Sequence, residues 1–159
     1  MLRALGVKRK GDWDGVSVDH VVLKYDDRYR RRITMTGTGG LEFLLDLKNP
    51  TVLNDGDALI LSDNQMIAVV AAAEPLIEVR CKNAEYLVRI AWHIGNRHLA
   101  ADIKSDRILI REDHVIAKML KGLGASVKNV ILPFNPELGA YDHQNHDRME
   151  NSPESNQHG

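Results

Sequence analysis

The chain has 159 residues, 43% apolar and 27% charged, with a formal net charge of −1. That length suits one mid-sized domain or two small ones, and the balanced charge argues against nucleic acid or a membrane surface as a partner. No apolar run approaches the ~18 residues of a membrane span, Met1–Asp14 has no signal-like apolar core, and one cysteine, Cys81, excludes a disulfide framework; a cytoplasmic protein is expected.

Residues 1–14 place Lys8, Arg9, Lys10, Gly11 and Asp12 among few apolar positions and read as an irregular entry. From Val16 to Leu23 the residues Val16, Val18, Val21 and Val22 predict a strand. The charged run Lys24–Arg32 reads as a solvated turn and strand edge. Its alternative is a basic partner-binding surface built from Arg28, Arg30, Arg31 and Arg32. Thr36-Gly37-Thr38-Gly39-Gly40 lacks the lysine of a phosphate loop and is a turn. Leu41–Leu47 predicts a strand stopped by Asn49-Pro50, and the turns Asn54–Asp57 and Ser62–Asn64 bracket Ala58–Leu61 before Met66–Val70. Residues 1–72 are therefore expected to form a small β-rich domain.

The pattern changes at Ala71–Pro75, a plausible hinge, after which Leu76–Val79 reads as a strand. Asn83 is an N-cap for a helix in which Leu87, Ile90, Ala91 and Ile94 share one face, with Gly95 as the stop. Strands over Ala101–Lys104 and Ile108–Arg111 follow. Asp113 then caps a second helix with Val115, Ile116, Met119 and Leu120 as its stripe, ended by Gly122 or Gly124, and Val127–Leu132 is a last strand. The order βαββαβ is that of a ferredoxin-like domain, here residues 73–135. Residues 136–159 turn polar and are expected to stay disordered, a flexible tail that carries His143, His146 and His158. The fold class is α+β: a β-rich N-terminal domain, a ferredoxin-like domain and a disordered C-terminal tail.

The chemistry concentrates in Trp92-His93-Ile94-Gly95-Asn96-Arg97-His98. Imidazole suits Ni(II), Cu(II) and Zn(II), but a closed structural site usually needs four ligands and the ordered candidates are too few. His93 and His98 are five apart, on different faces of one helix, and Ile94 follows His93 where a metalloprotease helix has glutamate. Two readings of His98 stand: a buried, hydrogen-bonded histidine, or a ligand that meets its own copy across a two-fold interface, with tail histidines adding from outside. His114, beside Asp113, reads either as part of a capping turn or as a ligand. His20 reads as structural and Cys81 as a packing residue.

These segments together also resemble a known family, the urease accessory nickel chaperones (UreE family). The resemblance runs through Tyr25-Asp26-Asp27-Arg28, Gly40-Leu41-Glu42-Phe43-Leu44-Leu45-Asp46, Leu53-Asn54-Asp55-Gly56-Asp57, Ala72-Ala73-Glu74-Pro75-Leu76, Gly95-Asn96-Arg97-His98, Asp113-His114-Val115 and Pro133-Phe134-Asn135-Pro136. It implies a homodimer that donates Ni(II) to the urease apoprotein complex together with the urease GTPase accessory protein. It implies His98 from both subunits on one interfacial metal, with positions matching His93, His114, His143 and His146 as further ligands, and Zn(II) or Cu(II) able to enter the same site. Two departures stand out: Glu112 where some members have another histidine, and three scattered tail histidines where some have a polyhistidine run. The alternatives are a small metal-dependent hydrolase using His93, His98 and His114, and a structural adaptor that binds no metal.

Overall fold

The structure is a computed structural model that describes residues 1–137. It divides into two compact units, the first covering Met1–Ala72 and the second beginning at Ala73.

The first unit is one six-stranded mixed sheet. Its strands are β1 (Leu2–Lys8), β2 (Asp19–Leu23), β3 (Tyr29–Thr36), β4 (Glu42–Val52), β5 (Ala58–Leu61) and β6 (Met66–Ala71), in the spatial order β2-β6-β5-β1-β4-β3. The expected irregular entry at residues 1–14 is corrected. Leu2–Lys8 is a central strand, parallel to β4 and antiparallel to β5, with Ala4 fully buried. Hydrogen bonding on both sides holds a segment whose own apolar alternation is short and ends in charges. Strand β2 begins three residues later than expected, and Val16 is exposed.

Asn49-Pro50 does not stop β4. The pairing of β3 with β4 shifts register between Arg30 and Arg32, and Pro50 falls in that irregularity, where a missing N–H breaks no ladder bond.

Strands β2 and β3 are the two edges of the sheet, and the sheet curls so that they approach. The Thr38 amide in the β3–β4 turn donates to the His20 carbonyl of β2 (2.8 Å). Asp19 locks this closure. Its buried carboxylate accepts from the backbone N–H of His20 (2.7 Å), Gly39 (2.8 Å) and Leu41 (3.1 Å). A Cβ at Gly37 would run into that carboxylate, which fixes the need for glycine there. Inside the curl, Val21, Met35, Phe43, Leu45, Leu59, Ile67 and neighbours form one core.

The second unit is ferredoxin-like. Strand β7 (Ala73–Arg80), helix α1 (Ala84–Asn96), strands β8 (Asp102–Ile103) and β9 (Ile108–Arg111), helix α2 (His114–Gly122) and strand β10 (Ser126–Pro133) follow in order. The sheet order is β10-β7-β9-β8, antiparallel throughout. Ile90 and Ile94 of α1 and Ile116 and Leu120 of α2 pack with Ile77, Val79, Ile108 and Ile110 of the sheet. Each such side chain contributes about 1.5–3 kcal/mol through burial. Val115, expected in the stripe of α2, is instead exposed, because it lies at the second helical position and faces away from the sheet.

Candidate metal site

Helix α1 starts as the sequence predicts, with the Asn83 side chain accepting from the Tyr86 amide. Its end is different. Gly95 does not stop it; the helix runs to Asn96 and Arg97 is the last half-helical residue. The chain then turns through His98, whose φ is +59°, in the left-handed region. The His98 amide donates to Gly95 (3.0 Å) and the Leu99 amide to Ile94 (3.3 Å). These two bonds define a Schellman cap, with His98 in the position glycine normally takes and Leu99 packing back on the core.

Helix α2 ends in the same cap with glycine in that place. Gly124 has a φ of +96°, its amide donates to Lys121 (3.0 Å), and the Ala125 amide donates to Leu120 (3.0 Å). Two helices of one domain thus share one terminating device, and α1 carries an imidazole where α2 carries the residue the backbone prefers. An L-residue there costs about 1–2 kcal/mol of backbone strain.

His98 is exposed, so the reading of it as a buried, hydrogen-bonded histidine is overturned. It stands at the carbonyl end of α1, where the helix dipole favours a cation by about 0.3–1 kcal/mol. His93 is half-buried on the preceding turn, its ring edge-on to Trp92 at 5.2 Å between centroids. His114 is exposed at the first position of α2, whose cap is the Asp113 carboxylate on the amides of Val115 (2.9 Å) and Ile116 (3.1 Å). It is therefore at the end of a helix that disfavours a cation, and ranks below His98 on that ground.

Among the described residues no group of three or more His, Cys, Asp or Glu side chains could hold a metal, so His93, His98 and His114 do not assemble a site with a nearby acid. His143 and His146 lie outside the described residues. His20 is exposed on β2, and its contributions to the fold come from its backbone. Cys81 packs at the margin of the core, and burial pushes its thiol up, away from thiolate chemistry. Of the four arginines considered as a basic surface, Arg28 is only 4% exposed and stacks on Tyr25, so it is not part of one.

Sequence reasoning missed the conformation of His98 because Gly95 offered an apparent stop three residues early. It also missed how the chain after β10 is held. The Asn135 amide donates to the buried Asp102 carboxylate (3.1 Å) and the Glu137 amide to the Ala101 carbonyl (2.8 Å). The alternation of Ala101-Asp102-Ile103-Lys104 gave no signal for it, since it would turn the apolar Ile103 inward, whereas Asp102 is buried and Ile103 exposed.

A curled β unit joined to a ferredoxin-like unit, with an exposed histidine at a strained helix end, defines an α+β protein of two modules. The sequence comparisons make this specific. The family model for the UreE urease accessory protein N-terminal domain matches residues 2–72, and that for its C-terminal domain matches residues 74–159. The chain is 53% identical over 146 residues to the urease accessory protein UreE of Bradyrhizobium sp. (strain ORS 278), covering 92% of this chain and 70% of that one. It is 50% identical over 147 residues to the protein of that name from Chelativorans sp. (strain BNC1), covering 92% and 91%. Its identity to the Beijerinckia indica protein is 48% over 151 residues, covering 92% and 87%. The chain belongs to the UreE family of urease accessory proteins.

Proposed function

We propose that the protein is a nickel carrier for urease maturation rather than an enzyme, binding Ni(II) where His98 of two copies converge. The carrying observation is His98 itself: exposed, at the cation-favouring end of a helix, held in a costly backbone conformation. The described residues of one chain offer no closed ligand set. A two-fold interface doubles each ligand it contains, and two imidazoles with open positions make a site that can release its cargo. His93, His114 and the tail residues His143 and His146 are the supplementary ligands. Zn(II) and Cu(II) enter the same imidazole site, since such ligands do not select nickel. The recipients are the urease apoprotein complex and its GTPase accessory protein, in the cytoplasm.

Calorimetric titration of Ni(II) into the metal-free protein tests this. One tight metal per two chains is expected, with His98→Ala abolishing it and removing the ability to activate urease. Unchanged tight binding in His98→Ala refutes the reading. The hydrolase alternative needs His93, His98 and His114 in one pocket with a base, and no such group occurs among the described residues. The adaptor alternative loses Arg28 from its surface.

A further inference from the structure

The two edges of the ferredoxin-like sheet are unlike. Strand β8 is two residues long, whereas β10 runs for eight, pairs with β7 without a register break, and has its only proline at the last position. Every second residue of such an edge turns a backbone N–H and C=O outward, free to pair with another strand. Proteins blunt long edges with bulges, internal prolines or charges, and the one such device within β10 is Lys128.

Helix α2 leaves the face beside this edge open. A groove of about 650 Å³ lies between α2 and β10, floored by Ile77 and Val127 and flanked on the helix by His114, Lys118 and Lys121. Those three stand at i, i+4 and i+7, one stripe of the helix. Among the described residues neither lysine makes an ion pair. Lys128 alternates to the opposite face of β10, with Glu78 as its cross-strand neighbour. Glu112 and Asp113 close the far end of the groove, and Asp113 is already committed to capping α2. A strand laid against β10 would therefore have lysines on both of its faces.

We propose that β10 and α2 form a docking site for an extended acidic segment of a partner protein, which joins the sheet as a further strand beside β10 and presents carboxylates to Lys118 and Lys121. Alternate residues of a strand are about 6.6 Å apart, and side chains three apart on a helix have Cβ atoms about 5–6 Å apart. Two glutamates flanking one residue therefore meet both ammonium groups at once. Backbone pairing along β10 supplies affinity, and the lysines select acid over base. His98 does not line this groove, so docking here needs no metal.

The test uses the full metal-free chain and two end-capped peptides, one alternating glutamate with valine and the other alternating lysine with valine. Fluorescence anisotropy reads how tightly each binds, and NMR with amide hydrogen exchange reads where. The glutamate peptide is expected to shift the amides of Ser126–Leu132 and to slow exchange at alternate residues of β10. The lysine peptide should bind at least about tenfold more weakly. Lys118→Glu/Lys121→Glu, at two exposed positions, should weaken the glutamate peptide by about tenfold and reverse the preference between the peptides. Lys118→Gln/Lys121→Gln, which removes the charges without adding repulsion, should fall between that variant and the wild type. No binding of the glutamate peptide, or equal affinity for the two peptides, overturns the proposal. Binding that depends on the lysines but leaves exchange in β10 unchanged overturns it too, because the groove would then attract anions without adding a strand.

Discussion

Replacing His98 by glycine should make the metal-free protein more stable while removing the nickel site proposed there. The φ of +59° at His98 carries about 1–2 kcal/mol of strain that glycine avoids. Glycine in turn adds chain entropy to the unfolded state, an opposing effect of about 0.4–1 kcal/mol. The imidazole is exposed, so its removal loses no burial. The net expectation for His98→Gly is a gain of about 0.5–1 kcal/mol, from the difference of the two effects. For a unit of this size that is an increase of roughly 2–8 °C in the unfolding midpoint of the second unit. His98→Ala keeps the strained backbone and should fall below His98→Gly by about 1 kcal/mol. Denaturant or thermal unfolding of the three proteins with a chelator present gives the comparison, and nickel titration shows both variants without the tight site. An alanine variant at least as stable as the glycine variant would refute the strain argument, because the strain of about 1–2 kcal/mol should outweigh the unfolded-state entropy of glycine, about 0.4–1 kcal/mol. Gly124→Ala supplies the internal control: the same cap in α2 should lose about 1 kcal/mol or more when alanine is forced into the left-handed region.

The first unit should open in acid through Asp19. The amides of Gly39, His20 and Leu41 hold its carboxyl below the usual carboxylate range. Its stabilisation is therefore complete above the unfolded value near 3.8 and lost as pH falls through the lower folded value. Asp19→Asn should flatten that acid limb in a pH series of urea unfolding, and an unchanged limb would remove Asp19 from the account. Asp57→Ala should cost about 2–4 kcal/mol. Its buried carboxylate accepts from Arg9 at 2.7 Å and from the amides of Lys10 and Asn54, each at 2.9 Å, and equilibrium unfolding measures the loss. Asp113→Ala should cost about 1 kcal/mol through the lost cap of α2 and weaken nickel binding little, given the low rank of His114.

The ferredoxin-like unit was legible because its signals are local. Asn83 and Asp113 stand at the starts of their helices, and Leu87, Ile90, Ala91 and Ile94 repeat on one face of α1, as the structure has them. Strand β1 was not legible, because Leu2–Lys8 owes its conformation to partners 35 or more residues away in β4 and β5. Pro50 misled for the same reason: whether a proline ends a strand depends on whether the neighbouring strand needs its N–H, and the register shift in the β3–β4 pairing removes that need. At the site, the identity of His98 could be read but its φ could not. Glycine at position 95 announced a helix end that the backbone places at the histidine.

That displacement of the cap from Gly95 to His98 has a chemical consequence. A glycine ending α1 would leave the next side chains on a loop with freedom to turn. The cap instead fixes the Cα–Cβ direction of His98 through the hydrogen bonds of Gly95 and Ile94 on one side and the packing of Leu99 on the other. A ligand whose backbone is already set loses less entropy when metal arrives. The same short segment continues into Ala101 and Asp102, which hold the chain after β10. Residues 95–102 therefore fix, with a single piece of backbone, both the direction of the His98 side chain and the anchorage of residues 135–137 after β10. A change in how α1 ends would therefore disturb both at once.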